Sequence, residues 1–119
     1  MQITQSLHAA LLISNLEKSQ HFYSTVLGLQ KIDRELNFPG IWYQIGNFQL
    51  HLILATKILP NTVDSEKLGR HQHLAFSVAN LEAAKDQLIA HNCPVQMSAS
   101  GRSALFTQDP DGNIIELSQ

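Results

Sequence analysis

The feature that most constrains this chain is that it repeats. His8-Ala9-Ala10-Leu11-Leu12-Ile13-Ser14-Asn15-Leu16-Glu17 returns 65 positions later as His73-Leu74-Ala75-Phe76-Ser77-Val78-Ala79-Asn80-Leu81-Glu82, with His, Ala, Asn, Leu and Glu identical. Carried further, the same offset sets His51-Leu52 over Glu116-Leu117. A period of this kind decides the architecture before any local signal does. Each half would be marginal alone, so the two are expected to share a core within the chain or across a dimer.

The first half reads as β-α-β-β-β. Leu7, Ala9, Leu11 and Ile13 alternate with His8, Ala10 and Leu12, which predicts a strand whose first set faces a helix and whose second set, His8 included, faces away. Ser14 and Glu17 have capping-box spacing, with Asn15 as the other candidate cap. The helix carries Leu16, Phe22, Tyr23, Val26 and Leu27 at helical intervals and stops at Gly28. A second strand is expected over 29–35 and a turn at Asn37-Phe38-Pro39-Gly40. Ile41 to Ile45 and Phe48 to Leu54 form a hairpin about Gly46-Asn47, with Leu50, Leu52 and Leu54 on one face and Gln49, His51 and Ile53 on the other.

Ala55 to Arg70 has no sustained period and contains Pro60, Asn61 and Gly69, which marks a connector. The order of elements then returns: a strand from His73 to Ala79, a helix from Leu81 to Asn92 with Leu81, Ala84 and Leu88 inward, strands over 95–98 and 103–108, a tight turn at Asp109-Pro110-Asp111-Gly112-Asn113, and a last strand from Ile114 to Ser118. The fold class is α+β: two duplicated βαβββ modules, about 1–56 and 71–119, joined by a connector at about 57–70 in a single domain. Their curved mixed sheets are expected to enclose a metal-binding cleft.

In all four strands the candidate ligand lies on the face away from the helix: His8 and His51 in the first half, His73 and Glu116 in the second. These residue types bind borderline and hard divalent ions. An isolated inward-facing histidine is most often a hydrogen-bonded core residue, but four ligand types related by one offset point to a metal. A Glu116 set among Ile114, Ile115 and Leu117 would also need a cation to remain charged. Arg102 could pair with a substrate carboxylate, or be a solvated loop arginine. Trp42 and Tyr43 point to opposite faces of one strand, so one reaches the cavity and the other the core. Asp109 and Asp111 read as turn formers. His71 shares the face of His73 but sits at the start of its strand beside Arg70, where exposure is expected.

Net charge is −2, with no Lys/Arg cluster, which excludes the phosphate-neutralising stripe of a nucleic-acid binder. The apolar run Leu11 to Ile13 is too short to span a bilayer and has no basic segment before it. The single cysteine, Cys93, just before Pro94, reads as structural and fits a reducing, cytoplasmic setting.

The chain resembles the vicinal oxygen chelate superfamily of glyoxalases, extradiol dioxygenases, fosfomycin-resistance thiol transferases and bleomycin-binding proteins. The motifs that carry the resemblance are His8-x-x-Leu11-x-Ile13-x-Asn15-Leu16, Phe22-Tyr23-x-x-x-Leu27-Gly28-Leu29, His73-Leu74-Ala75-Phe76-x-Val78, and Phe106-x-x-Asp109-Pro110-Asp111-Gly112-Asn113-x-x-Glu116-Leu117. The resemblance implies paired βαβββ modules, a small-molecule substrate with vicinal oxygens, and one divalent ion per site (Ni, Zn, Mn or Fe), often at a homodimer interface. It admits a thiol such as glutathione. In the glyoxalase pattern the four ligand positions match His8, His51, His73 and Glu116, and the carboxylate at the position of Glu116 moves the substrate proton. Glyoxalases usually carry Glu where this chain has His51. In dioxygenases His8, His73 and Glu116 alone would form a two-His-one-carboxylate set for Fe(II), with His51 an extra ligand or a neighbour. The basic tail of fosfomycin enzymes after the Glu is absent from this sequence. The expected function is a metal-dependent isomerase or lyase of glyoxalase type, with an extradiol dioxygenase and a non-catalytic, bleomycin-resistance-like binder as alternatives.

Overall fold

In the computed structural model, residues 1–58 and 63–119 are described, so Pro60 and Asn61 of the connector lie outside the described residues. The chain divides into two units, Met1–Ile58 and Leu59–Gln119. In the first, β1 (His8–Ile13) is followed by α1 (Leu16–Gln20), β2 (Gln30–Lys31), β3 (Gly40–Ile45) and β4 (Phe48–Leu54). In the second, β5 (His73–Ser77) is followed by α2 (Leu81–Ala90), β6 (Gln96–Met97), β7 (Ala104–Gln108) and β8 (Ile114–Ser118). The sheets have the orders β1-β4-β3-β2 and β5-β8-β7-β6. In each the first strand runs parallel to the last, and the remaining pairs are antiparallel. These are two mixed βαβββ sheets, as the repeat predicts.

Asparagine, not serine, starts both helices. Asn15 Oδ1 accepts from the Lys18 N–H at 2.9 Å and Asn80 Oδ1 from the Ala83 N–H at 3.0 Å, each satisfying one of the donors a helix start leaves free. Gln119 Oε1 takes a further one, the Leu81 N–H, at 2.8 Å. Beyond Gln20 the first helix widens into a π-helical turn over His21–Val26, where the Leu27 N–H donates to Phe22 O at 2.9 Å. Gly28, at φ 73°, then ends it in the left-handed conformation. Phe22, Tyr23 and Val26 are buried with Ile13, Ile41, Tyr43, Leu50 and Leu52. The Tyr43 hydroxyl reaches Ser24 Oγ at 2.8 Å, so Tyr43 faces the helix, and burial raises its pKa.

In the second unit Leu81 and Leu88 are buried with Leu105, Ile115 and Leu117. Asp109 shapes the β7–β8 turn: Oδ1 accepts from the backbone N–H groups of Asp111 and Asn113, and Oδ2 from Asn113 Nδ2, each at 2.9 Å. Both outer strands are shorter than expected. β2 ends at Lys31 because Asp33-Arg34-Glu35 is a charged run that leaves the sheet edge for solvent. β6 spans two residues, and the Gln96 side chain holds the segment before β5, accepting from the Leu68 N–H at 3.0 Å and donating to Ser65 O at 2.8 Å. That segment is less featureless than a plain connector: Leu68–Arg70 form a 3-10 turn, and Leu68 packs with Val63, Phe106 and Ile114. Among the described residues no helix is long and apolar enough to cross a membrane.

Candidate functional site

Each sheet places its candidate ligands by register. In the first unit His51 lies on β4, a central strand, opposite Ala10 on β1 and Trp42 on β3; His8 is opposite Gln49, two residues before His51. With an alanine beside it, His51 leaves room for His8 to lean over. The two imidazoles stack at 4.2 Å between centroids and 19° between planes. On its other side His51 lies flat on Trp42 at 3.6 Å and 6°, and the Arg34 guanidinium sits 4.1 Å from the centre of the Trp42 ring. The result is a stack in the order Arg34, Trp42, His51, His8.

The hydrogen bonds around His51 fix its proton. Gln44 Nε2 donates to Gly46 O at 2.7 Å and Phe48 O at 3.3 Å, and carbonyls only accept, so Gln44 Oε1 faces Gln49. Gln49 Nε2 donates to that oxygen at 2.9 Å, which turns Gln49 Oε1 toward His51 Nε2, also at 2.9 Å. His51 therefore carries its proton on Nε2 and keeps Nδ1 bare. Burial, then the charges of His8 and Arg34, hold its pKa below the ordinary imidazole value, so at neutral pH the ring is uncharged, the form that binds metals.

The second unit repeats the placement with different chemistry. Glu116 on β8 lies opposite Ala75 on β5 and Phe106 on β7, and His73 is opposite Ile114, two residues before Glu116. His73 Nδ1 donates to His71 O at 2.6 Å, which leaves Nε2 with the free lone pair. His71 thus serves His73 through its carbonyl, while its own ring accepts from the Asp64 N–H at 2.9 Å. Phe106 stands edge-on to His73 at 5.4 Å. Glu116 is 7% exposed, and Arg102 Nη2 donates to its Oε1 at 2.7 Å. Arg102, one of the candidate substrate binders, is here the counter-ion of the candidate base.

Each unit by itself carries donor types that suit a divalent ion: the first the bare nitrogen of His51 and the exposed His8, the second the bare nitrogen of His73 and the buried Glu116 carboxylate. Parallel stacking, however, aims the in-plane lone pairs of His8 and His51 along parallel planes instead of onto one point. Among the described residues no group of three or more His, Cys, Asp or Glu is gathered to hold an ion. Cys93 is half-buried with a raised pKa, a poor thiolate.

Of the aromatic candidates, Trp42 joins the site face and Tyr43 the core. The two-residue turn at Gly46-Asn47 held that answer, because pairing Ile45 with Phe48 puts Trp42 opposite His51. The same counting across Asp109–Asn113 puts Phe106 opposite Glu116. Arg34 and Gln49 had no comparable signal in the sequence.

A family model described as the Glyoxalase/Bleomycin resistance protein/Dioxygenase superfamily matches residues 5–117. The chain is 27% identical to a protein of Arabidopsis thaliana named Glyoxylase I 4, over 98% of this chain and 71% of that one. It is 25% identical to the human mitochondrial methylmalonyl-CoA epimerase, over 94% of this chain and 72% of the relative. Among solved structures, a glyoxalase family protein of Enterococcus faecalis superposes with a TM-score of 0.76 at 24% identity, over the full length of both chains, a likeness of fold.

Proposed function

The chain belongs to the Glyoxalase/Bleomycin resistance protein/Dioxygenase superfamily, and on that premise we propose that it is a cytoplasmic, metal-dependent enzyme that moves a proton next to a carbonyl of a small substrate with vicinal oxygens. The observation that carries the reading is Glu116: a carboxylate on a central strand, 7% exposed, flanked by Ala75 and Phe106 and balanced, among the described residues, by the exposed Arg102. A structural role gives no reason to bear that desolvation cost. A carboxylate that must accept and return a proton in a water-poor site gives one.

In this reading His8, His51, His73 and Glu116 hold one divalent ion, completed within a chain or between the chains of a homodimer, and Glu116 is also the base. The ion would supply Lewis acidity toward the substrate oxygens. His51 presents Nδ1 because Gln49 holds the proton on Nε2; His73 presents Nε2 because His71 O holds the proton on Nδ1. Trp42 and Phe106 wall the two central residues from the side. The names of the relatives, a glyoxylase and an epimerase, support proton transfer as the reaction type and leave the thiol carrier, glutathione or another, to the assay.

One observation favours a second reading. His51 is covered on both ring faces and stacks with His8 instead of converging with it. That suits His51 as a support for His8, with His8, His73 and Glu116 forming the three-ligand set of an Fe(II) oxygenase.

Elemental analysis of protein purified without chelators, beside His8→Ala, His51→Ala and Glu116→Ala, tests both. Close to one zinc, nickel or manganese per chain, lost in all three variants and accompanied by lyase or epimerase turnover, supports the first reading. Iron retained in His51→Ala supports the second. No metal after reconstitution refutes both and leaves a non-catalytic binder of small molecules.

A further inference from the structure

Glu116 and Arg102 form an unequal pair. The Glu116 side chain is 9% exposed and that of Arg102 is 57% exposed, so the carboxylate is fixed in the sheet while the guanidinium reaches in from outside. Arg102 follows Gly101, which sits at φ 76°, in the loop between β6 and β7. The contact is one-pronged: Nη2 donates to Oε1 at 2.7 Å, while Nε turns back to Ser100 Oγ at 3.3 Å. The two-pronged fork that makes arginine–carboxylate pairs strong is not formed. Among the described residues Oε2 of Glu116 receives no hydrogen bond. The flanking residues Ala75 and Phe106 offer it no charge.

These features describe a counter-ion that is needed but not anchored. A carboxylate in apolar surroundings loses far more from being left unpaired than an exposed arginine loses from returning to water. Any cation that reaches Glu116 therefore competes with Arg102 for its carboxylate, and the exposed loop lets the arginine leave with little rearrangement. We propose that Arg102 is a displaceable stand-in for the divalent ion: it keeps Glu116 paired and aimed in the metal-free protein, and gives up Oε1 when the ion binds. The inference rests on the metal reading given above and adds to it a direct competition between a side chain and the ion.

The test is zinc binding by chelator-treated full-length protein, followed by calorimetry, together with thermal unfolding with and without saturating zinc, for the parent, Arg102→Gln and Glu116→Gln. Removing the competitor tightens zinc binding in Arg102→Gln by about tenfold or more, the factor that one charge-assisted hydrogen bond corresponds to. The same variant melts below the parent without zinc, because Glu116 is left unpaired, and the deficit disappears when zinc is saturating. Simple repulsion between arginine and ion would instead leave the metal-free variant as stable as the parent. Unchanged or weaker zinc binding in Arg102→Gln, with the parent binding zinc through Glu116, overturns the competition and leaves the metal site standing. A parent that binds no zinc, or binds it equally well as Glu116→Gln, overturns the site and the competition together.

Discussion

The stack on His51 makes a prediction that separates the ring of Trp42 from its N–H. Trp42 Nε1 is buried and has no hydrogen-bond partner among the described residues, a cost of about 1–3 kcal/mol. Its ring meanwhile contributes about 0.5–1.5 kcal/mol by stacking on His51 at 3.6 Å, and about 0.5–1 kcal/mol through the Arg34 guanidinium at 4.1 Å. Trp42→Phe removes the orphan donor and keeps a flat ring, so it should melt at or above the parent. Trp42→Leu removes the donor and both ring contacts. It should be less stable than Trp42→Phe by about 1–2.5 kcal/mol, or about 4–10 °C in melting temperature for a chain of this size. The assay is thermal unfolding of chelator-treated protein by circular dichroism, since the single tryptophan is lost in both variants. Arg34→Ala, added to each, completes a double-mutant cycle. It should lower the melting temperature of the Trp42→Phe variant and leave that of the Trp42→Leu variant unchanged. Equal melting of the two Trp42 variants, or an equal Arg34→Ala effect in both, refutes the stack.

Three further outcomes follow from single contacts. A methyl group added at Gly69 would lie 2.6 Å from Cζ of the buried Phe106, so Gly69→Ala should cost about 1–3 kcal/mol, visible as a lower melting temperature that Phe106→Leu relieves; an unchanged melting temperature would refute the close approach. The amide relay puts the His51 proton on Nε2, which nitrogen-15 NMR of the imidazoles reads directly; Gln49→Leu should release that preference, and a proton found on Nδ1 in the parent would refute the relay. Because the folded pKa of His51 is depressed, the unfolded chain takes up its proton first as pH falls. The associated stability is complete above the ordinary imidazole pKa of about 6.5 and is lost below it, so metal-free protein should lose melting temperature between about pH 7 and 5 more steeply than His51→Asn does. Parallel slopes would refute that assignment.

What could be read in the sequence was whatever period and offset dictate. Side-chain alternation in a strand is rigid, so once Leu50 and Leu52 are assigned to the helix face, His51 must face away; both leucines are in fact fully buried. The same rule placed His8, His73 and Glu116. Contacts between long side chains and distant loops obey no such rule. Arg34 lies beyond the end of a strand that reads longer than it is, and its reach to Trp42 depends on the chain leaving the sheet after Lys31. Arg102 could have met solvent, substrate or Glu116, and composition does not choose among them. Gly69 looked like a linker glycine, whereas its lack of a side chain lets the 3-10 turn settle on Phe106.

The two halves solve one placement problem with different balances of charge. In each, the central strand carries the candidate ligand opposite an alanine of the parallel edge strand and an aromatic residue of the antiparallel neighbour: Ala10 and Trp42 for His51, Ala75 and Phe106 for Glu116. A neutral imidazole needs no counter-ion and gains from lying flat between two rings. A carboxylate gains nothing from stacking and takes a cation from the nearest loop. The consequence for the proposed site is electrostatic. With a second carboxylate at position 51, a divalent ion would be neutralised by its protein ligands. With His51 neutral, it would keep one net positive charge, and under the proposed reading that charge would bind and polarise the paired oxygens of a substrate.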